Sequence, residues 1–242
     1  MILLLICLLA AIVMLILSIP ILFVEWLIGK KNPKLRDISS LRFVQGMLGA
    51  ILFLTGTKLT VKGMEKIPTD QPVLYVCNHR SIFDIVIGYT LMSSPTGYVA
   101  KIELEKIPLL SAWMRRVYCL FLNRKDLRQG MQTILKAIEY VKNGISICIF
   151  PEGTRSKDPD QTKLLEFHEG SFKIATRTGC PIVPMAISGT SAIFEDHLPF
   201  ISFGKHVTVS YGDPIYPAEL DKEELKKLGS RTREVIIGML EK

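Results

Sequence analysis

The first 24 residues of the chain contain no charged side chain. As an α-helix this stretch would be about 36 Å long, enough to cross the hydrocarbon core of a bilayer. Pro20 should kink that helix. A basic cluster follows directly and suits anionic head groups at the cytoplasmic face of a membrane; it consists of Lys30, Lys31, Lys34, Arg36 and Arg42. The sequence therefore predicts a membrane-associated N-terminus, with the active part of the chain at the cytoplasmic face.

A second uncharged segment runs from Phe43 to Thr57 and is interrupted by glycine at 46, 49 and 56. It is short for a membrane span, so we expect it to lie in the interface or to pack against the first helix. Residues 1–57 are thus predicted to form a two-helix membrane-anchoring module, and residues 58–242 a separate α/β domain. The sequence leaves open whether the first helix spans the bilayer or lies in one leaflet.

The net charge of +7 also raises nucleic acid as a partner. That partner is not expected, because no basic run is interleaved with aromatic residues and the charge lies beside the apolar segment.

The five cysteines form no Cys-x-x-Cys pair, which favours buried thiols in a reducing compartment over a metal site.

Beyond residue 57, short apolar runs alternate with helical patterns. Strands alternating with helices indicate an α/β fold with a largely parallel sheet of about seven strands flanked by helices. A strand is predicted over Val117–Leu122 and a final helix over Asp221–Leu240. The clearest helix covers residues 126–142, where one apolar face is predicted to contain Leu127, Met131, Ile134, Leu135, Ile138 and Val141.

The apolar run Val73–Cys77 stops at a polar turn that carries His79, and a helix is predicted to begin at Ile82. Ligand sites in α/β sheets lie beyond the carboxyl ends of strands. Asp84, in the first helical turn, could accept the Nδ1 proton of His79 and leave Nε2 as a base. Ser81-x-x-Asp84 equally fits a capping box, in which Asp84 only satisfies the helix end. The spacing leaves both interpretations open.

A second buried strand, 145–150, ends in the turn Phe150 to Ser156. Arg155 in that turn offers the planar fork that binds phosphate, and Glu152 is placed to orient the arginine. The alternative is a surface turn with an internal Glu–Arg pair.

Two further cations follow strands. Lys101 and Arg124 each stand at the carboxyl end of a predicted strand. Together with Arg155, these side chains would form a cationic pocket beside His79. Such a pocket predicts a phosphate-bearing substrate.

Four segments, taken in order, resemble the motifs of the glycerolipid acyltransferase family. Asn-His-Arg-Ser-Ile-Phe-Asp at 78–84 is similar to the first motif, N-H-x-S-x-x-D, and Phe150 to Ser156 to the third, F-P-E-G-T-R-S. Phe121 to Arg124 is similar to F-I-D-R, with Asn123 in place of the usual Asp, and 183–187 to V-P-V-A-I. The resemblance covers roughly residues 57–215, and in size and apolar N-terminus the chain is similar to the bacterial lysophosphatidic acid acyltransferases.

The resemblance implies a reaction. His79, oriented by Asp84, would deprotonate the sn-2 hydroxyl of lysophosphatidic acid, which then attacks the thioester of acyl-ACP or acyl-CoA to give phosphatidic acid. No metal and no cofactor beyond that co-substrate is implied. Asn78 and Ser81 would support the first motif, and backbone amides of 78–82 or near Gly153 would stabilise the oxyanion. The phosphate-binding set would be Lys101, Arg124, Glu152, Gly153, Thr154 and Arg155.

Four alternatives remain at this point. Cys77 or Ser81 could form a covalent acyl-enzyme, or His79, Asp84 and His168 could hold zinc in a hydrolase. The chain could bind anionic lipid without catalysis. Within the same chemistry, glycerol-3-phosphate or another lysophospholipid could be the acceptor.

Overall fold

The computed structural model describes residues 1–241. Its centre is a seven-stranded sheet. The strands are β1 (Lys58–Lys62), β2 (Leu74–Cys77), β3 (Thr96–Lys101), β4 (Leu120–Leu122), β5 (Ser146–Ile149), β6 (Ile182–Ser188) and β7 (His206–Tyr211). They lie in the order β1-β7-β6-β2-β5-β3-β4. All neighbouring strands run parallel except β6 and β7, so the predicted largely parallel α/β fold is confirmed.

Helices cover both faces of the sheet. Because side chains alternate along a strand, Tyr75 and Cys77 of β2 point into one hydrophobic cluster while Leu74 and Val76 point into the other. The first cluster receives residues of α3, α4 and α5, and the second receives residues of α6, α7 and α9. The helices are α1 (Ile2–Leu17), α2 (Ile19–Lys31), α3 (Pro33–Leu54), α4 (Ile82–Thr90), α5 (Pro108–Arg116), α6 (Leu127–Lys142), α7 (Lys173–Thr178), α8 (Lys222–Lys226) and α9 (Leu228–Leu240).

The N-terminal segment contains a bent helix followed by a long one. The bend between α1 and α2 is 46° and lies just before Pro20, so the predicted kink is present. The next helix starts at Pro33, ten residues before the predicted Phe43, because the Asn32 side chain accepts a hydrogen bond from the amide of Leu35 and caps it. By length and composition, α3 could cross a membrane, and the bent α1–α2 pair could form another such span.

Polar contacts join the N-terminal helices to each other and to the sheet domain. The Ser39 hydroxyl donates to the buried carboxylate of Glu25 at 2.9 Å, which ties α3 to α2. The Trp113 indole donates to the Ser18 hydroxyl at 2.7 Å, and its ring stacks on Phe43. These helices therefore share a core with α4 and α5, while the division of the chain at residue 57 stays a prediction.

Half of the predicted face of α6 is buried. Ile134, Ile138 and Val141 pack toward the sheet as predicted, together with Thr133 and Ala137. The prediction is wrong for Leu127, Met131 and Leu135, which are 91%, 67% and 48% exposed. The small side chains Thr133 and Ala137 allow the helix to approach the sheet closely, which outweighs the apolar periodicity of the predicted face.

Two predicted elements are interrupted. The strand over 117–122 begins only at Leu120, because α5 continues to Arg116 and Tyr118 takes a positive φ of 63°. The final helix is divided between α8 and α9. The Glu169 carboxylate accepts hydrogen bonds from the amides of Gly229 and Ser230, and so caps a new helix start.

The close packing of β3 gives a stability prediction. A Cβ on Gly97 would overlap the backbone carbonyl oxygen of Tyr118, so Gly97→Ala should destabilise the fold by about 1–3 kcal/mol. Gly130→Ala is the matched control, since its Cβ would lie 3.7 Å from Leu122, and alanine should stabilise α6 by about 0.5–1 kcal/mol. Thermal unfolding in detergent measures both, and equal midpoints for the two variants would contradict this packing.

Candidate active site

His79 follows β2 and is oriented by the first turn of α4. Its Nδ1 lies 3.0 Å from Oδ2 of Asp84, a carboxylate with no exposed surface. The same oxygen accepts hydrogen bonds from the amides of Arg80 and Ser81 at 2.7 and 2.8 Å, and Ser81 completes a capping box. The capping box and the contact with the imidazole, which the sequence left as alternatives, are therefore both present. Asp84 caps the helix and also engages Nδ1, which leaves Nε2 as the free ring nitrogen.

Two further contacts fix the imidazole and its turn. The ring of His79 stacks on Phe150 with centroids 4.3 Å apart, and its side chain is 12% exposed. The Asn78 amide group donates to the carbonyl of Ile187 and accepts from its N–H, which continues the pairing of β2 with β6 beyond the last strand residue. Asn78 is fully buried, and its two hydrogen bonds fix the turn to β6.

Glu152 connects the second predicted motif to the first. Its Oε1 accepts the backbone amide of His79 at 2.6 Å, and its Oε2 accepts that of Leu165 at 2.9 Å. Burial raises the pKa of this carboxyl, and the two amide hydrogen bonds oppose the shift. The expectation that Glu152 orients Arg155 is wrong, because both of its oxygens hold backbone.

Arg155 is paired with a different acid. Its guanidinium donates to Oε1 of Glu195 at 2.7 Å, and that oxygen also accepts the amide of Ile82 at 2.9 Å. Within residues 1–241, the buried Oε2 of Glu195 has no hydrogen-bond partner. Glu195 thus links the arginine to the start of α4.

The carboxyl ends of the central strands open into a cleft of about 800 Å³. Lys101 ends β3, and Arg124 and Arg155 follow β4 and β5; all three line this cleft together with His79. Arg80, Thr154 and Lys157 also line it, as do the acids Glu195 and Asp196. The structure therefore brings the three predicted cations to one site beside the imidazole, where cationic walls favour an anionic ligand.

Three residues of the site were missed by sequence reasoning: Arg80, Thr190 and Glu195. The Thr190 hydroxyl donates to Oδ1 of Asp84 at 2.5 Å, and the guanidinium of Arg80 donates to the carbonyls of Asp158 and Asp160. Thr190 follows the carboxyl end of β6, so the rule that located His79 would also have found it. Arg80 lies in the same turn as His79, so that rule points to it as well. Glu195 carries no comparable signal in the sequence.

Five of the backbone amides expected to stabilise an oxyanion already have acceptors. The amides of residues 79–82 donate to the carboxylates of Glu152, Asp84 and Glu195, and that of Gly153 donates to the carbonyl of Phe150. The expectation is therefore wrong for these five amides, and it stays a prediction for Asn78 and for the amides next to Gly153. The cleft offers other donors in the side chains of Thr154, Arg155 and Ser191.

The alternative nucleophiles are enclosed in the core. Cys77 is fully buried with its sulfur 3.7 Å from that of Cys148, and burial raises the pKa of its thiol well above the usual value. Ser81 is also buried, and its hydroxyl oxygen accepts the amide of Phe83. His168 is exposed and lies against Gly153. No group of three or more His, Cys, Asp or Glu side chains within residues 1–241 is arranged to hold a metal ion.

Comparison with known proteins identifies the class. Residues 58–188 match the family model described as Acyltransferase. The crystal structure of the 1-acyl-sn-glycerophosphate (LPA) acyltransferase, PlsC, from Thermotoga maritima superimposes with a TM-score of 0.83 at 28% identity, over 99% of this chain and 94% of that one. The chain belongs to the acyltransferase family.

Two relatives are similar in sequence. A 1-acyl-sn-glycerol-3-phosphate acyltransferase of Borreliella burgdorferi is 33% identical over 78% of this chain and 74% of its own length. A chloroplastic 1-acyl-sn-glycerol-3-phosphate acyltransferase of Brassica napus is 35% identical over 74% of this chain. The chain spans about half the length of such plant relatives, 51% in that case.

The contact between Thr190 and Asp84 predicts a catalytic effect. Thr190→Val removes a hydrogen bond to a buried carboxylate, so kcat should fall roughly tenfold or more. Thr190→Ser keeps the hydroxyl and should retain most of the rate. Steady-state kinetics on both variants, with circular dichroism to confirm folding, checks this. A valine variant as active as the serine variant would show that the contact plays no part in catalysis.

Proposed function

We propose that this chain transfers a fatty acyl group from a thioester to the sn-2 hydroxyl of 1-acyl-glycerol-3-phosphate, forming phosphatidic acid. One observation carries the proposal: the His79–Asp84 pair opens into the same cleft as Lys101, Arg124 and Arg155. A base beside a cationic pocket suits an acceptor that carries both an alcohol and a phosphate. The names of the Thermotoga and Borreliella relatives support the same reaction.

The imidazole would serve first as base and then as acid. Nε2 of His79 takes the proton of the sn-2 hydroxyl as its oxygen attacks the thioester carbonyl. Asp84 stabilises the imidazolium that forms. The C–S bond then breaks, and the leaving thiolate receives the proton from Nε2. Proton transfer of this kind contributes about 10²–10⁴-fold to the rate.

The cations would position the acceptor. Its phosphate would lie between Lys101, Arg124 and Arg155, which places the neighbouring hydroxyl against the imidazole. Gly153, at φ +69°, allows the turn that presents Thr154 and Arg155 to the cleft. Glu152 would brace this turn from behind rather than touch the phosphate.

The N-terminal helices would hold the cleft at the cytoplasmic face of a membrane. Acceptor and product carry acyl chains that remain in lipid, so the site must lie at head-group height. Helices α1 to α3 have the length and apolar composition for this role. The donor would arrive from the aqueous side as acyl-ACP or acyl-CoA, and no cofactor beyond that donor is proposed.

Product analysis tests the reaction directly. Purified full-length chain is given lysophosphatidic acid with acyl-ACP and acyl-CoA in parallel, and the lipid products are identified by mass spectrometry. Phosphatidic acid from at least one donor is the expected result. Acylation of glycerol-3-phosphate or lysophosphatidylcholine in preference to lysophosphatidic acid would overturn the acceptor assignment.

The general base is tested by a pair of variants. His79→Ala should lower kcat by about 10²–10⁴-fold, because the base is lost while the cationic cleft remains. Cys77→Ala, at the buried end of the same strand, should retain activity. The reverse pattern would indicate a covalent acyl-enzyme on the cysteine. Unchanged activity in both variants would remove His79 from the mechanism.

Arg155 should set selectivity for phosphate. Arg155→Gln should lower kcat/KM for lysophosphatidic acid by roughly 10–100-fold, as expected for a lost charge-assisted contact, and leave that for 1-acylglycerol nearly unchanged. Arg128→Gln, an exposed arginine on α6, is the control and should affect neither. An equal loss on both acceptors would show that Arg155 shapes the cleft without binding phosphate.

A further inference from the structure

A group of large apolar side chains is exposed between the cleft and the end of α3. In the loop that leads to β7, Leu198, Phe200 and Phe203 are 60%, 51% and 71% exposed, and we call these three side chains the apolar rim. Scattered exposed hydrophobic residues are common, but an exposed cluster of large ones marks an interaction surface.

The rim is continuous with the end of the third helix. The amide of Gly204 donates to the carbonyl of Thr55 at 2.9 Å, and that of Lys58 donates to the carbonyl of Lys205 at 2.8 Å. The ring of Phe203 lies so close to Gly56 that any side chain there would overlap it. The loop is therefore joined to the exit of a helix long and apolar enough to cross a membrane.

The backbone of the loop is held in place, while the side chains of the apolar rim are exposed. The amide of Ser202 donates to the carbonyl of Ile193 at 2.8 Å, and Phe194 and Ile201 pack against the hydrophobic cluster beneath. Leu198 also lines the cleft, so the rim begins at the entrance to the site. A fixed loop that keeps three apolar side chains in water indicates a surface that is covered in use.

The charges around the rim suit a lipid surface. Residues 197–206 contain no acidic side chain, and the preceding Glu195 and Asp196 line the cleft. The basic residues Lys58, Lys205 and His206 lie at the base of the loop. In a bilayer interface the apolar side chains of the rim would contact hydrocarbon, and the basic residues at the base of the loop would lie among the anionic head groups.

We infer that the apolar rim is a second lipid contact, distinct from helices α1 to α3, which inserts at the acyl boundary and turns the entrance of the cleft toward the bilayer. Insertion itself does not depend on the reaction. Its kinetic consequence, easier transfer of a membrane-borne acceptor into the cleft, rests on the proposed function.

Depth-dependent quenching tests insertion. All five native cysteines are buried, so Phe200→Cys can be labelled selectively with an environment-sensitive dye in the full-length chain. In phosphatidylcholine–phosphatidylglycerol vesicles, nitroxides on the upper acyl chain should quench a dye at 200 strongly. A dye at Thr176→Cys, an exposed polar site on α7, which packs on the other face of the sheet, should be quenched little. No quenching at 200, as expected if a soluble protein covers the rim, or equal quenching at both sites would overturn the inference.

Kinetics test the consequence. The double variant F200S/F203S should lower the rate with long-chain lysophosphatidic acid in vesicles by roughly tenfold, because two aromatic side chains no longer enter lipid. Its rate with a short-chain, water-soluble acceptor should be unchanged. The control Met64→Ser, which changes an exposed apolar side chain after β1, should match wild type with both acceptors. Equal losses with the two acceptors would overturn the kinetic role. If wild type acylates neither acceptor, the proposed function fails while the quenching experiment still decides insertion.

Discussion

The buried carboxylate of Asp84 organises the site. With no exposed surface, it accepts hydrogen bonds from the His79 ring, from the amides of Arg80 and Ser81 and from the Thr190 hydroxyl. A buried charge is costly unless several donors satisfy it. The turn after β2, the start of α4 and the segment after β6 are therefore held together by one side chain, and the orientation of the imidazole follows from that arrangement.

Single side chains also join the other parts of the cleft. Glu152 reaches from the end of β5 to the backbone of His79, and Arg80 reaches back to the loop that follows Glu152. Glu195 joins Arg155 to α4. The turns that present His79 and Arg155 are thus each fixed by side chains from other segments of the chain, which suits a site that must be formed before substrate arrives.

The predictable parts of the fold and site follow from short sequence segments and from the parallel arrangement of the strands. A strand, a polar turn and a helix within 20 residues reveal His79 and Asp84, and parallel strands bring Lys101, Arg124 and Arg155 to one edge. The contacts of Thr190 and Glu195 join positions more than 100 residues apart and were not predicted. Half of the buried face of α6 was mispredicted for a related reason. Periodicity identifies apolar stripes, but the shape of the facing sheet selects which stripe is buried.

The pair formed by Glu25 and Ser39 bears on how the N-terminus reaches lipid. Glu25, on α2, is 4% exposed, and its partner Ser39 lies on α3. In hydrocarbon a lone carboxylate is expensive, so α2 on its own would be a poor candidate for insertion. If α2 and α3 enter a bilayer as proposed, they should therefore close on each other before or while they do so. Pairing of the two helices, rather than the apolarity of either one, would then determine when the chain becomes membrane-bound.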